Sequence, residues 1–178
     1  ILTEELQMIT NHGLSPKLYI SDRANIIMPY HKLLDGAEER LLAGKKIGTT
    51  KRGIGPCYSD KIARLGIRAI DLTDSKKLRK RLELVLPIKQ RILSAYGIEE
   101  TLDLDILVKT YSDYGRQLKD YIANTSQLLH HAQKNGQHIL LEGAQGTMLD
   151  VDYGTYPFTT SSHVIAGGGS IGTGLPPH

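Results

Sequence analysis

The sequence predicts an α/β fold: a helix-rich part of a larger, mostly parallel central sheet. Apolar residues recur at helical spacing through the middle of the chain, and a short apolar run, His138-Ile139-Leu140-Leu141-Glu142, opens at once into Gly143-Ala144-Gln145-Gly146-Thr147. A buried parallel strand that ends in a tight loop reads this way. At 178 residues, with 40% hydrophobic and 23% charged side chains, the chain is long enough to bury a core and is expected to form a single domain, 1–178.

The elements follow in order. Thr3 to Asn11 reads as a helix closed by Gly13, Leu18 to Ser21 as a strand bounded by Pro16, and Tyr30 to Ala43 as a helix stopped by Gly44. Tyr58 to Leu65 can form a short helix ended by Gly66. From about Ser75 to Gly136 the period is helical. Leu78, Leu82, Val85, Leu86, Ile92, Leu93 and Tyr96 form one stripe, and Leu118, Tyr121, Ile122, Leu128, Leu129 and Ala132 a second. Pro87 lacks an amide donor and clashes with the preceding turn, so a kink or break is expected near Leu86. Gly97 and Gly136 are expected stops, and Leu18–Ser21 and His138–Glu142 are the expected strands.

Composition excludes several classes of function. The one cysteine, Cys57, rules out a disulfide framework and a Cys-rich zinc module. No stretch reaches the roughly 20 apolar residues of a membrane helix, and the first residues lack a signal-peptide layout, so a cytoplasmic protein with no membrane partner is expected. The seven histidines form no ligand motif with carboxylates, so no metal site is expected in this stretch. The chain begins at Ile1 rather than Met and ends soon after a glycine-rich stretch, and it is expected to be the central part of a longer protein.

Three segments carry chemistry. Between Lys45 and Arg68, seven of 24 residues are basic (Lys45, Lys46, Lys51, Arg52, Lys61, Arg64 and Arg68) against one acid, Asp60. This segment holds a net +6 in a chain of net +3. Its core, Gly48-Thr49-Thr50-Lys51-Arg52-Gly53-Ile54-Gly55-Pro56, offers glycines for close backbone approach, hydroxyl donors and cations, which is phosphate-binding chemistry. The alternative is a solvated basic face. Lys61, Arg64 and Arg68 share one side if the helical path persists. Cys57, near these cations, has either a lowered pKa or, as the preferred reading, the role of a small filler residue.

The second segment is the loop after His138–Glu142, where open α/β sheets bind ligands and where Gln145 can present its amide; a plain turn is the alternative. The third, Gly154-Thr155-Tyr156-Pro157-Phe158-Thr159-Thr160-Ser161-Ser162, ends in four consecutive hydroxyl side chains suited to a phosphate or sugar, although such runs are often ordinary loops. Gly167–Gly174 lacks the Gly-Lys-Ser/Thr of a nucleotide loop.

In this order the segments resemble the adenylosuccinate synthetase family. The resemblance rests on Gly53-Ile54-Gly55-Pro56 with Tyr58, Asp60-Lys61 and Arg64, and on Glu142–Thr147 with Gly154–Pro157 and Thr160-Ser161-Ser162. It implies a P-loop NTPase-related fold and the GTP-dependent joining of IMP to L-aspartate in AMP biosynthesis. It places Thr50 and Thr160 on the IMP 5′-phosphate, and Arg64 on the same phosphate in the neighbouring subunit of a homodimer. Gln145, the expected catalytic residue, lies at the hypoxanthine 6-oxygen, with Thr49, Lys61 and Arg68 as further candidates. GTP, Mg2+ and aspartate are implied as ligands of the whole enzyme, with their sites mostly outside this stretch, so the chain alone is expected to be inactive. Cys57 stands where the family has alanine, and Gly174-Leu175-Pro176-Pro177 where it has Gly-Leu-Gly-Pro. Two other readings of the basic loop are another phosphate-ester site and a nucleic-acid contact. A net charge of only +3 and the lack of interleaved aromatics apart from Tyr58 speak against the latter, and no nucleic-acid partner is expected.

Overall fold

The structure, a computed structural model, describes residues 1–42 and 48–177. The helix-rich fold with a small parallel sheet is as expected. In chain order the elements are α1 (Leu2–Asn11), β1 (Ile20–Ser21), α2 (Pro29–Leu41), α3 (Ile54–Ala63), a 3-10 helix (Ala69–Thr73), α4 (Ser75–Ala95), α5 (Leu104–Leu118), β2 (Ile122–Ala123), α6 (Thr125–Lys134), a 3-10 turn (Thr147–Leu149) and α7 (Ala166–Thr173). The expected end of α2 at Ala43-Gly44, and the cations Lys45 and Lys46, lie outside the described residues.

The core forms where α2, α4 and α5 meet. Leu78, Leu82, Val85, Leu86 and Leu93 of α4 are buried with Met28, Tyr30 and Leu34 around the start of α2, Ile67 and Leu72, and Leu107 and Val108 of α5. Their spacing on α4 follows the helical period, so one face is buried, with Lys89 the one charged group on it, and the other carries the exposed charges. Side chains close the helix starts. Asp74 accepts the amides of Lys76 and Lys77, Asp103 accepts that of Ile106, and Asn124 accepts that of Gln127.

Several expectations are corrected. Pro87 does not break α4, which runs through it from Ser75 to Ala95. Buried leucines on both sides of Pro87 hold the two halves to one core, and Pro87 itself lies on the exposed side. The second apolar stripe is not one helix, because Ile122–Ala123 between α5 and α6 pairs in parallel with Ile20–Ser21. The first strand is thus shorter than Leu18–Ser21. The segment His138–Glu142 forms no strand, since no backbone among the described residues pairs with it, and Leu140 is 91% exposed. An extended apolar run becomes a strand only when another strand takes its amides and carbonyls. Gly97 and Gly136 do terminate helices, each at positive φ.

Candidate functional site

Helix α3 begins earlier than the sequence suggested, at Ile54, and the Gly48–Gly53 loop leads straight into it. Gly53 makes this possible. Its φ is +81°, and a Cβ there would lie 2.9 Å from the His31 Cβ and carbonyl carbon, so the chain passes against the first turn of α2 with no room for a side chain. Two buried carboxylates of α2 hold the loop from below: Glu39 Oε1 accepts the Gly48 amide at 2.9 Å, and Asp35 Oδ2 accepts the Gly53 amide at 2.8 Å. The two flanking glycine amides are therefore taken, and the Thr49 to Arg52 stretch between them carries the donors left for a ligand.

In the first turn of α2, His31 is fully buried. Its Nδ1 accepts the Met28 amide at 2.9 Å, so the ring proton sits on Nε2 and is donated to Asp60 Oδ2, 2.9 Å away. The other oxygen of Asp60 receives the ammonium of Lys89 from α4. Burial pushes the Asp60 carboxyl up, but the hydrogen bonds from His31 and Lys89 and the Lys89 charge outweigh it, and the net shift is downward. The result is a buried ion pair with one neutral donor, linking α2, α3 and α4.

Helix α3 ends in a Schellman turn. Leu65 donates to the Asp60 carbonyl at 2.8 Å and Arg64 to the Lys61 carbonyl at 3.2 Å, with Arg64 left-handed at φ +63°. The Arg81 guanidinium bonds the carbonyls of Arg64 and Gly66.

The hydroxyl segment is organised by Asp150, which is fully buried. Oδ1 accepts the amides of Asp152 and Tyr153, and Oδ2 those of Val164 and Ile165. Burial raises the pKa of this carboxyl, yet the four amides prevail and hold it well below the ordinary range. Leu149 is tied to the same loop, its carbonyl taking the Thr160 amide at 2.9 Å, and the Tyr156–Pro157 peptide is cis.

Between α3 and this loop lies an open cleft of about 870 Å³. Thr49, Thr50, Gln145 and Thr160 all line it, together with Tyr58 and Ser161. The three sequence segments singled out for chemistry thus meet in one place. The Thr49 hydroxyl is buried with no hydrogen-bond partner among the described residues, whereas Thr50 and Gln145 are exposed. Asp35, bound to the Gly53 amide, and Glu38, whose carboxyl is pushed up by burial and by Asp35, also border it. A cleft of this size, with hydroxyls, free amides and a carboxamide on its walls, suits a phosphorylated nucleoside-sized ligand.

The cations are distributed differently. Because α3 ends at Ala63, Arg68 does not continue its face. Lys61 and Arg68 instead line a second cavity of about 630 Å³ together with Arg23, and Arg64, fully at the surface, lines neither. Cys57 also borders that second cavity. Burial and the Asp60 charge push its thiol up to about 11 against a smaller opposing effect of Lys61, which corrects the idea of an activated thiol and leaves the small filler. Among the described residues no cluster of three or more His, Cys, Asp or Glu side chains is placed to hold a metal ion, and no helix is long and apolar enough to cross a membrane.

Sequence reading missed His31, Asp35, Glu39 and Asp150. One signal was available: His31, Asp35 and Glu39 recur every fourth residue, which stacks them on one face of α2.

Comparison with known proteins places this geometry in context. The family model for adenylosuccinate synthetase matches residues 1–178. A curated adenylosuccinate synthetase from Heliobacterium modesticaldum is 51% identical over 179 residues, covering 99% of this chain and 42% of the relative. One from Acetivibrio thermocellus is 45% identical, with the same coverage. The structure of a fully ligated adenylosuccinate synthetase from Plasmodium falciparum superposes with a TM-score of 0.85 at 34% identity, over 98% of this chain and 41% of that one. The chain thus spans about two fifths of the length of the relatives it matches.

Proposed function

Because this chain belongs to the adenylosuccinate synthetase family, we propose that it supplies most of the IMP site of an enzyme that joins IMP to L-aspartate with GTP. The observation that carries this reading is the single cleft that gathers Thr49, Thr50, Gln145 and Thr160 from three separate segments. Thr50 and Thr160, with the free amides of the loop, bind the 5′-phosphate, and the orphaned hydroxyl of Thr49 gains a partner in the same anion. The base then lies toward Gln145, whose carboxamide orients the purine 6-oxygen and stabilises the charge that develops there during phosphoryl transfer and displacement by the aspartate amine.

Arg64 is exposed and does not line the cleft of its own chain, which supports a role at the phosphate held by a second subunit of a homodimer. Lys61 and Arg68 add positive potential beside it. GTP and Mg2+ serve the whole enzyme. Among the described residues the carboxylates are not gathered as a metal-ligand cluster, and the buried Asp35 and Asp60 are engaged with the Gly53 amide and with His31 and Lys89, so no step through Mg2+ is assigned to this stretch. The enzyme works in the cytoplasm on small nucleotides, and this stretch, about two fifths of the length of its relatives, makes no product by itself.

Gln145→Ala in the intact enzyme is expected to lower kcat by about 10²-fold, the usual consequence of removing one preorganised polar contact to a developing oxyanion. An unchanged kcat would overturn the role of Gln145. Adenylosuccinate formation by the isolated 178-residue chain would overturn the division of labour.

A further inference from the structure

Helix α2 reaches the cleft through Asp35 and the exposed Glu38, and its other polar side, which carries Asp35 as well, is buried and built with regular spacing. His31, Asp35 and Glu39 are each 5% exposed or less and stand four residues apart, so they rise along one side of the helix by about 6 Å per step. Each grips a different point of the same downstream segment. Glu39 takes the Gly48 amide, Asp35 the Gly53 amide, and His31 donates to Asp60 near the end of α3. Asp60 in turn supplies the carbonyl that closes the Schellman turn at Arg64.

We propose that this face of α2 is a positioning element, a three-point clamp that sets the Gly48–Gly53 loop and helix α3 so that Thr49 and Thr50 present their donors to the phosphate of a nucleoside monophosphate in this cleft, and Arg64 to the one held by a second subunit. The proposal rests on the nucleotide reading of the cleft. Its physical basis is that two fixed amides define the ends of the loop, so the intervening backbone is ordered before the ligand arrives and less order is lost on binding. The two carboxylates take only the terminal amides, Gly48 and Gly53, so they hold the loop at its ends and leave the donors of Thr49 to Arg52 for an anion. Lys89 supplies the counter-charge that keeps Asp60 ionised under the clamp.

The test is steady-state kinetics of the intact enzyme with IMP varied. Asp35→Ala is expected to raise the KM for IMP about tenfold with kcat changed less than about threefold, because a buried amide loses its acceptor while the catalytic groups stay in place. Asp35→Asn keeps an acceptor oxygen at the same position and is expected to restore most of the affinity. Leu82→Ala, a core variant outside the clamp, lowers stability without moving KM. Glu39→Ala, which releases the other end of the loop, replaces Asp35→Ala should that variant not fold, with the same expectation.

Unchanged KM in Asp35→Ala and Glu39→Ala, or an equal rise in Leu82→Ala, overturns the clamp. Thr160→Ala separates this from the underlying reading. A raised KM there with an unchanged one in the clamp variants removes the clamp alone, whereas no response from Thr160→Ala removes the nucleotide reading with it.

Discussion

Arg64 occupies the C′ position of a Schellman turn with φ +63°, where glycine is the usual residue because a Cβ is strained there. An arginine at such a strained position points to a role for its side chain. Arg64→Gly is therefore expected to stabilise the protein by about 0.5–1 kcal/mol, the left-handed strain being relieved against a more flexible unfolded chain, while IMP affinity falls. Denaturant unfolding and the KM for IMP measure the two effects. A destabilised variant, or one with unaltered affinity, would count against the assignment. At this scale the sequence was informative about groups that face solvent: Thr49, Thr50, Gln145 and Thr160 stand out as donors among small residues, and all four line the cleft. It was poor at the groups beneath them. Asp35 and Glu39 resemble ordinary surface acids of an amphipathic helix, and only the approach of Gly48 and Gly53 from elsewhere in the chain gives their oxygens a buried purpose.

At the scale of elements, local signals served the helices well and the strands badly. The leucine period, the Asp74 and Asp103 caps and the positive-φ glycines at 97 and 136 are all local, and they delimit α4, α5 and α6. Strand identity depends on a partner distant in sequence. Ile122–Ala123 pairs with Ile20–Ser21, about a hundred residues earlier, while the longer run His138–Glu142 finds no partner among the described residues. Pro87 is the reverse case, a strong local breaker overruled by packing. Its ring removes one helical hydrogen bond and crowds the carbonyl of Glu83, a defect of about 3 kcal/mol in a helix interior. Since Pro87 is exposed and its neighbours Leu86 and Leu93 are buried, the α4 path does not depend on it. Pro87→Ala is expected to raise stability by about 2 kcal/mol, after allowance for the greater freedom it gives the unfolded chain. A higher urea midpoint with unchanged slope would bear this out. A lower midpoint would show that α5 packs against a bend that proline provides.

For the molecule as a whole, charge arithmetic and stability separate. With 22 Lys+Arg, 19 Asp+Glu and a pI near 8.9, the chain is close to neutral in mildly alkaline solution, yet the buried groups place greatest stability elsewhere. On the acid side, Asp60 and Asp150 are both held below the ordinary carboxylate value. In each, burial alone would raise the pKa, and hydrogen bonds to the ionised form prevail. A group with a depressed native pKa contributes stability that is present above the unfolded value, near 4, and lost as pH falls through the native one. On the alkaline side the sign reverses. Burial, with the Asp60 charge second, pushes Cys57 from 9.0 up to about 11, and burial pushes Tyr111 from 10.0 up to about 12. Tyr30 is raised further, by burial first and then by Asp60. Each favours its neutral form in the native state, so its contribution is complete below the unfolded value and lost as pH rises through the native one. Urea midpoints measured across pH are therefore expected to plateau between roughly pH 5 and 8, falling below about 4 and again above about 9. Cys57→Ala should weaken the alkaline decline between 9.0 and about 11 and leave the acid side unchanged, whereas Asp60→Asn should flatten the acid side. A stability maximum at the pI instead would mean that net charge, rather than the buried Asp60, Asp150 and Cys57, governs the pH response of this fold.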